Sequence, residues 1–228
     1  PHTENHFQAF AQDSMRLGDR VTLIAGLRMD RHPLIPRPIF SPRGALVIRV
    51  GERQAIRASV STAFRTFSFV ESYLTTLTPT PISAVDAVGA GTDFNTRRFG
   101  TPRLSPENML SAEIGYQNQE SDAFSFDVAL YANRVRDIIG LSTRTPAYTL
   151  ADYANPRFGD LTGFDTVSNA FLYGHAGFEN DRGTYYVAGM EVVGRLYPVD
   201  GLDIWANYSL NLTYRDDGGV LSRDHRAP

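Results

Sequence analysis

Glu113, Asp127 and Glu191 are the groups of this chain best suited to acid–base work. Carboxylates held in unlike surroundings acquire unlike proton affinities, and one can then donate a proton while the other accepts it. Yet each acid alternates with apolar residues, and so do Arg28, Arg57 and Arg195. Acids and arginines sharing one side of a set of strands read more simply as a solvated polar wall. No Ser, His and Asp arrangement stands out, so no reaction is expected and the protein is not expected to be an enzyme. Metal chemistry fares no better. His2, His6, His32, His175 and His225 are scattered, and no pair has ligand spacing. Neither a metal nor a cofactor is expected. Gly89 to Asp93 (GAGTD) suggests a phosphate cradle, but no helix-forming segment follows it. Asn207 and Asn211 match glycosylation sequons inside a predicted strand, which reads as chance.

Binding groups are better represented. One aperiodic stretch carries Arg97, Arg98, Phe99 and Arg103. Another carries Tyr148, Tyr153, Arg157, Phe158, Phe164, Phe171, Tyr173 and His175. Aromatic residues and arginine are favoured where proteins make contact. Ligand contact and packing of one stretch against the other both remain open for these residues.

The elements that position these groups follow from alternation of period two. Ser111 to Ala132 reads as a hairpin, with Ala112, Ile114 and Tyr116, then Phe124, Phe126, Val128 and Leu130, on the apolar parity. Further strands are expected over 6–16, 20–30, 43–50 and 54–64, the last with Ile56, Ala58, Val60 and Phe64 on its apolar side. A final hairpin is expected over 184–196 and 202–214, giving eight antiparallel strands. The prolines between Arg31 and Pro42 exclude a central strand there.

Connections alternate between short turns at 17–19, 51–53, 118–122 and 198–201 and long loops at 31–42, 65–106 and 140–183. Structureless loops beyond roughly 15 residues are uncommon inside compact soluble domains. Long loops at one end and short turns at the other are the pattern of bacterial outer-membrane barrels. About eleven tilted residues also project to the height of a barrel's apolar band, roughly 25 Å. If the polar parity faced lipid, Arg28, Arg57 and Arg195 alone would cost up to roughly 2–4 kcal/mol each at mid-depth. Arg28, Arg57, Glu113, Asp127, Glu191 and Arg195 are therefore expected on the lumen side and the apolar parity toward membrane lipid. Composition agrees: 22 basic against 25 acidic residues and no basic run exclude nucleic acid as a partner, and the absence of cysteine excludes disulfides. No apolar run is long enough for a transmembrane helix.

Phe10 to Asp30 (FAQDSMRLGDRVTLIAGLRMD) resembles a hairpin of TonB-dependent outer-membrane receptors. Ser59 to Tyr73, with its Ala-Phe-Arg run, resembles a strand end and loop entry of the same family. Ser105 to Leu141 and Gly189 to Tyr208 fit as well, in the family's order. The resemblance implies that residues 1–228 are part of a 22-stranded barrel in the bacterial outer membrane. It also implies energised uptake of a scarce small nutrient: siderophore-bound iron, cobalamin, a saccharide or a peptide. The barrel's plug domain and the segment gripped by the TonB complex are expected elsewhere in a longer chain. The stretch from Arg223 to Pro228 reads as the loop leading into a further strand. A passive porin-like channel or structural barrel is the alternative, and a secreted all-β binding module is a third class.

Overall fold

The computed structural model describes residues 3–73, 75–79, 94–99, 103–143, 164–165 and 170–223, with side chains over 3–73, 103–141 and 177–223. The first elements in chain order are β1 (Phe7–Leu17), β2 (Val21–Arg31), β3 (Ile39–Arg49), β4 (Gln54–Arg65) and a five-residue helix α1 (Phe69–Tyr73). Then come β5 (Thr75–Pro79), β6 (Phe94–Phe99), β7 (Glu107–Asn118), β8 (Phe124–Arg136), β9 (Ile139–Thr143) and β10 (Phe164–Asp165). The last are β11 (Ala170–Asn180), β12 (Thr184–Val199), β13 (Leu202–Asp216) and β14 (Leu221–Arg223). No described helix is long and apolar enough to cross a membrane, which says nothing of strands.

The chain divides into two compact units. The first, residues 1–66, 106–138 and 182–228, is a nine-stranded antiparallel sheet in the order β1-β2-β3-β4-β7-β8-β12-β13-β14. Strand order along the sheet follows chain order, as in a meander. Eight of these strands are the expected ones. The ninth, β14, pairs Arg223 with Tyr214 after a turn in which Gly218 and Gly219 take positive φ, so Arg223 ends a strand where a loop was expected.

Register carries one parity across the whole sheet. Leu23 pairs with Leu46 and Leu46 with Ala58. Ala58 pairs with Ile114, Ile114 with Leu130, Leu130 with Met190 and Met190 with Leu210. Cross-strand partners share a face, so these residues form one continuous apolar surface. Nothing in the described residues of this unit covers it: Val60 is 55%, Ile114 53% and Leu130 49% exposed. Only five apolar residues, Ile35, Phe67, Leu104, Ala129 and Ile139, are buried among those described. An apolar surface of this extent requires an apolar surrounding.

Two expectations change at prolines and strand ends. β3 begins at Ile39, so Pro42 stands inside a strand, opposite Leu27. The Arg49 amide donates to Arg20 on the β2 side and the Val50 amide to Gln54 on the β4 side. Alternation therefore turns the nitrogen of residue 42 toward β4, where pairing starts only at Arg43. Proline there removes no ladder bond, and the Thr62 hydroxyl donates to its carbonyl at 3.4 Å. Phe64 lies past the end of the same β3–β4 ladder. Its ring stands 5.8 Å from the Arg28 guanidinium, a polar-face residue, instead of keeping to the apolar parity.

The second unit, residues 67–105 and 139–181, overturns the reading of two structureless loops. Its strands form a five-stranded sheet in the order β10-β11-β6-β5, with β9 also on β11. β11 and β6 run parallel, and the other pairs are antiparallel. Asn180 closes this unit locally: its side-chain oxygen accepts from the Ser105 amide and its nitrogen donates to the Ser105 carbonyl, both at 2.8 Å. Where β8 ends, Asp137 adopts φ 58°, a left-handed conformation that aspartate tolerates better than most residues.

Candidate functional site

The polar face of the first sheet is organised around Arg57 of β4. Its Nε donates to Glu113 Oε1 on β7 at 3.3 Å, and its two terminal nitrogens donate to Asp127 on β8 at 3.1 Å each. Arg57 stands directly opposite Gly115, so its side chain must cross β7 to reach β8. A Cβ at position 115 would lie 2.7 Å from Arg57 Nε and 3.1 Å from Cγ, closer than atoms pack. Glycine there is the passage for the guanidinium. The same device recurs where Arg43 crosses Gly26 and where Tyr131 crosses Gly189. A glycine on the polar parity, facing a long side chain, was the signal in the sequence that alternation alone does not use.

The other expected polar-face charges keep their parity. Arg28 donates to both oxygens of Asp30, at 2.7 and 2.8 Å, and to Gln8 Oε1 at 2.9 Å. Arg65 grips Glu107 with bonds of 2.6 and 2.8 Å where the chain leaves the sheet. Glu191 and Arg195 of β12 line one groove with Arg57, Asp127, Arg53 and Asp122. The face is not purely hydrophilic, since Trp205, paired with Arg195, is 65% exposed on it. The arginines of these pairs are about half-exposed, so the ion pairs contribute modestly to stability. They form a pattern of charge for a polar occupant or water.

The histidines are less scattered than their spacing implies. Pairing of Phe7 with Arg31 brings His6 beside His32, their rings 4.6 Å apart and nearly perpendicular. Glu4 Oε2 lies 3.2 Å from His6 Nε2 and 3.8 Å from His32 Nε2. The Leu34 amide, however, donates to His32 Nδ1. A neutral imidazole that accepts at Nδ1 carries its proton on Nε2, so Nε2 faces the carboxylate as a donor and is not a free ligand atom. Burial, then the neighbouring His6, push the His32 pKa down, against a smaller upward effect of Glu4.

In the second unit the two aperiodic stretches meet. β6 lies beside β11 with Phe94 opposite Phe171, Arg97 opposite His175, Arg98 opposite Ala176 and Phe99 opposite Gly177. Tyr173 falls at the irregularity between Leu172 and Gly174, and Phe164 pairs with Phe171 on the other edge. Residues far apart in the sequence thus share adjacent strands. Arg103 is exposed and precedes β7. Tyr148, Tyr153, Arg157 and Phe158 lie outside the described residues, as do His2 and His225.

The profile of the family described as TonB dependent receptor-like, beta-barrel, matches residues 1–227. No curated protein matches the sequence. Among solved structures, the siderophore receptor PirA from Pseudomonas aeruginosa is 18% identical with a TM-score of 0.62, over 96% of this chain and 35% of its own. A mutant of the ferric enterobactin receptor PfeA from the same organism is 23% identical with a TM-score of 0.60, over 92% of this chain and 26% of its own. The outer membrane transporter YddB from Escherichia coli is 12% identical with a TM-score of 0.60, over 92% of this chain and 24% of its own. These likenesses establish a shared fold. The chain spans about a quarter to a third of the length of these structures.

Proposed function

Because the chain belongs to the TonB-dependent receptor-like β-barrel family, we propose that it is part of the barrel of an outer-membrane receptor for energised uptake of a scarce small nutrient. The apolar face meets membrane lipid, and the polar face lines the lumen. A plug domain and the TonB complex act through other parts of the full-length protein. The transported substance is bound, released and passed on, with no bond made or broken.

The observation that carries the binding half of this reading is the β6–β11 pairing. It brings Arg97, Arg98 and Phe99 from one excursion next to Phe171, Tyr173 and His175 from the other. Both excursions leave the first sheet at one end, after Arg65 of β4 and after Arg136 of β8, and binding groups concentrate on such connections held by a rigid scaffold. Two arginines beside aromatic residues suit a small anionic ligand with a flat or conjugated part, and the relatives named as siderophore and ferric enterobactin receptors make an iron chelate the leading candidate.

The test is to replace Arg97 and Arg98 by alanine in the full-length protein and to measure ferric chelate binding alongside surface display. Neighbouring strand residues face opposite sides, so one of the two arginines serves a given face, and losing its charge-assisted hydrogen bond should weaken binding by roughly tenfold. Normal display with unchanged binding and uptake would remove these arginines from the site. Uptake that persists after the inner-membrane energy supply is dissipated would favour a passive channel instead.

A further inference from the structure

On the apolar face of the first sheet, all but one of the charges lie toward the end where the chain departs for the second unit. Register fixes the pattern. One cross-strand row reads Leu110, Arg134, Tyr186, Tyr214 and Arg223. Arg136 stands two residues further out on the same face. At the opposite end of that face the residues are Leu17, Val21, Ile48, Phe124, Leu196 and Ile204, without a charge. The exception is Asp13, in the middle of the edge strand β1, paired with Ala25. The outer row also has one acid near it, Asp216, whose Oδ1 accepts from the Gly219 amide at 2.7 Å.

Arg134 and Arg136 border a groove. The β3–β4 ladder stops at Arg43 and Ser61, and β7 then continues past the gap. Phe40, Pro42 and Leu110 line the resulting depression, with Phe64 in the gap itself and Arg134 and Arg136 at the side. Among the described residues, neither arginine side chain has a hydrogen-bond or ion-pair partner. Asp137, which also borders the groove, is engaged in an interaction of its own.

We propose that the groove at the outer end of β3, β4, β7 and β8 is a binding site for an acidic, phosphate-bearing membrane lipid. The acyl chain lies along Phe40, Pro42 and Leu110, and the headgroup phosphate meets Arg134 and Arg136. This rests on the membrane reading above. Its physical basis is depth: arginine on a lipid-facing strand is costly at the bilayer centre and nearly free at the interface. The tyrosines of the same row mark that interface, as aromatic girdles do in barrels. Arginine side chains with no partner among the described residues complement a negative headgroup at that level. A zwitterionic lipid would offer them no net charge.

The experiment uses the full-length protein in neutral-detergent micelles, with equimolar phosphatidylglycerol and phosphatidylcholine as probes and bound lipid counted by native mass spectrometry. Two arginines at a charged lipid surface correspond to a preference of roughly 25-fold for the acidic lipid. The Arg134→Gln/Arg136→Gln variant should bind the two lipids near parity, and the Arg134→Lys/Arg136→Lys variant should keep most of the preference. Near parity in the unaltered protein, or an unchanged preference in the glutamine variant, would overturn the proposal. So would complete displacement of the lipid by millimolar inorganic phosphate, which would mark a free-anion site. A protein that folds yet does not enter phosphatidylcholine nanodiscs would instead overturn the membrane reading, and this inference with it.

Discussion

Gly115→Ala tests whether the polar face depends on side chains crossing glycine. The new methyl carbon would stand 2.7 Å from Arg57 Nε and 3.1 Å from its Cγ. The guanidinium must then withdraw from β8, giving up two hydrogen bonds of 3.1 Å to Asp127 and loosening the one to Glu113. Charge-assisted bonds contribute about 1.5–3 kcal/mol when shielded from water. Arg57 is 43% and Asp127 29% exposed, so solvent screening reduces this to about 1 kcal/mol. Replacing a strand glycine by alanine returns roughly 0.5 kcal/mol of chain entropy. The net expected loss is about 0.5 kcal/mol. Arg57→Ala should cost about 1–2 kcal/mol, because Glu113 and Asp127 are left without their shared cation. The two changes act on one interaction, so the double variant should be no less stable than Arg57→Ala alone, and should gain from alanine's lower chain entropy. Urea unfolding in detergent micelles, followed by tryptophan fluorescence, supplies all four corners of the cycle. Losses that simply add, or a Gly115→Ala protein more stable than its parent while Arg57 is present, would refute the crossing argument.

Spin labels at Ile114, Leu130, Met190 and Leu210 should be quenched by a lipid-soluble reagent, and labels at Glu113, Asp127 and Glu191 by a water-soluble one. Equal aqueous quenching of both sets would contradict the assignment of faces. Pro42→Ala should change stability by less than about 0.5 kcal/mol, because the nitrogen faces a side without a ladder, whereas Ala45→Pro removes an amide turned toward β2 and should cost about 2 kcal/mol or more. A comparable loss for both would mean that Pro42 has a role beyond the ladder. His32 has a lowered folded pKa, so the unfolded chain takes up the proton first, near pH 6.5. Its contribution is therefore present above that value and is lost as pH falls toward the folded one. His32→Gln should flatten the decline in stability below pH 6.5, and an undiminished slope would show that other groups cause it.

Period-two alternation was enough to read eight of the nine strands of the first sheet, because in an antiparallel meander each strand is specified by its own residues and its nearest chain neighbours. Ile114 and Leu130 on one side, Glu113 and Asp127 on the other, are separated by the pleat itself, and a one-residue slip would put charges among the apolar rows. The asymmetry of short turns and long connections was equally local. The second unit was not readable in this way. β6 and β11 carry no clean alternation, and they pair in parallel across a long stretch of chain, so no local pattern announces that Arg97 and His175 will stand side by side. The closeness of His6 and His32 depends on the β1–β2 register, and the reach of Arg57 to Asp127 depends on a glycine two residues beyond Glu113 on an intervening strand. Pro42 sits within a strand because β3 outruns its partner. Composition and spacing report what a residue prefers. Only the assembled sheet determines which backbone groups still need a partner, and which side chains have room to find one.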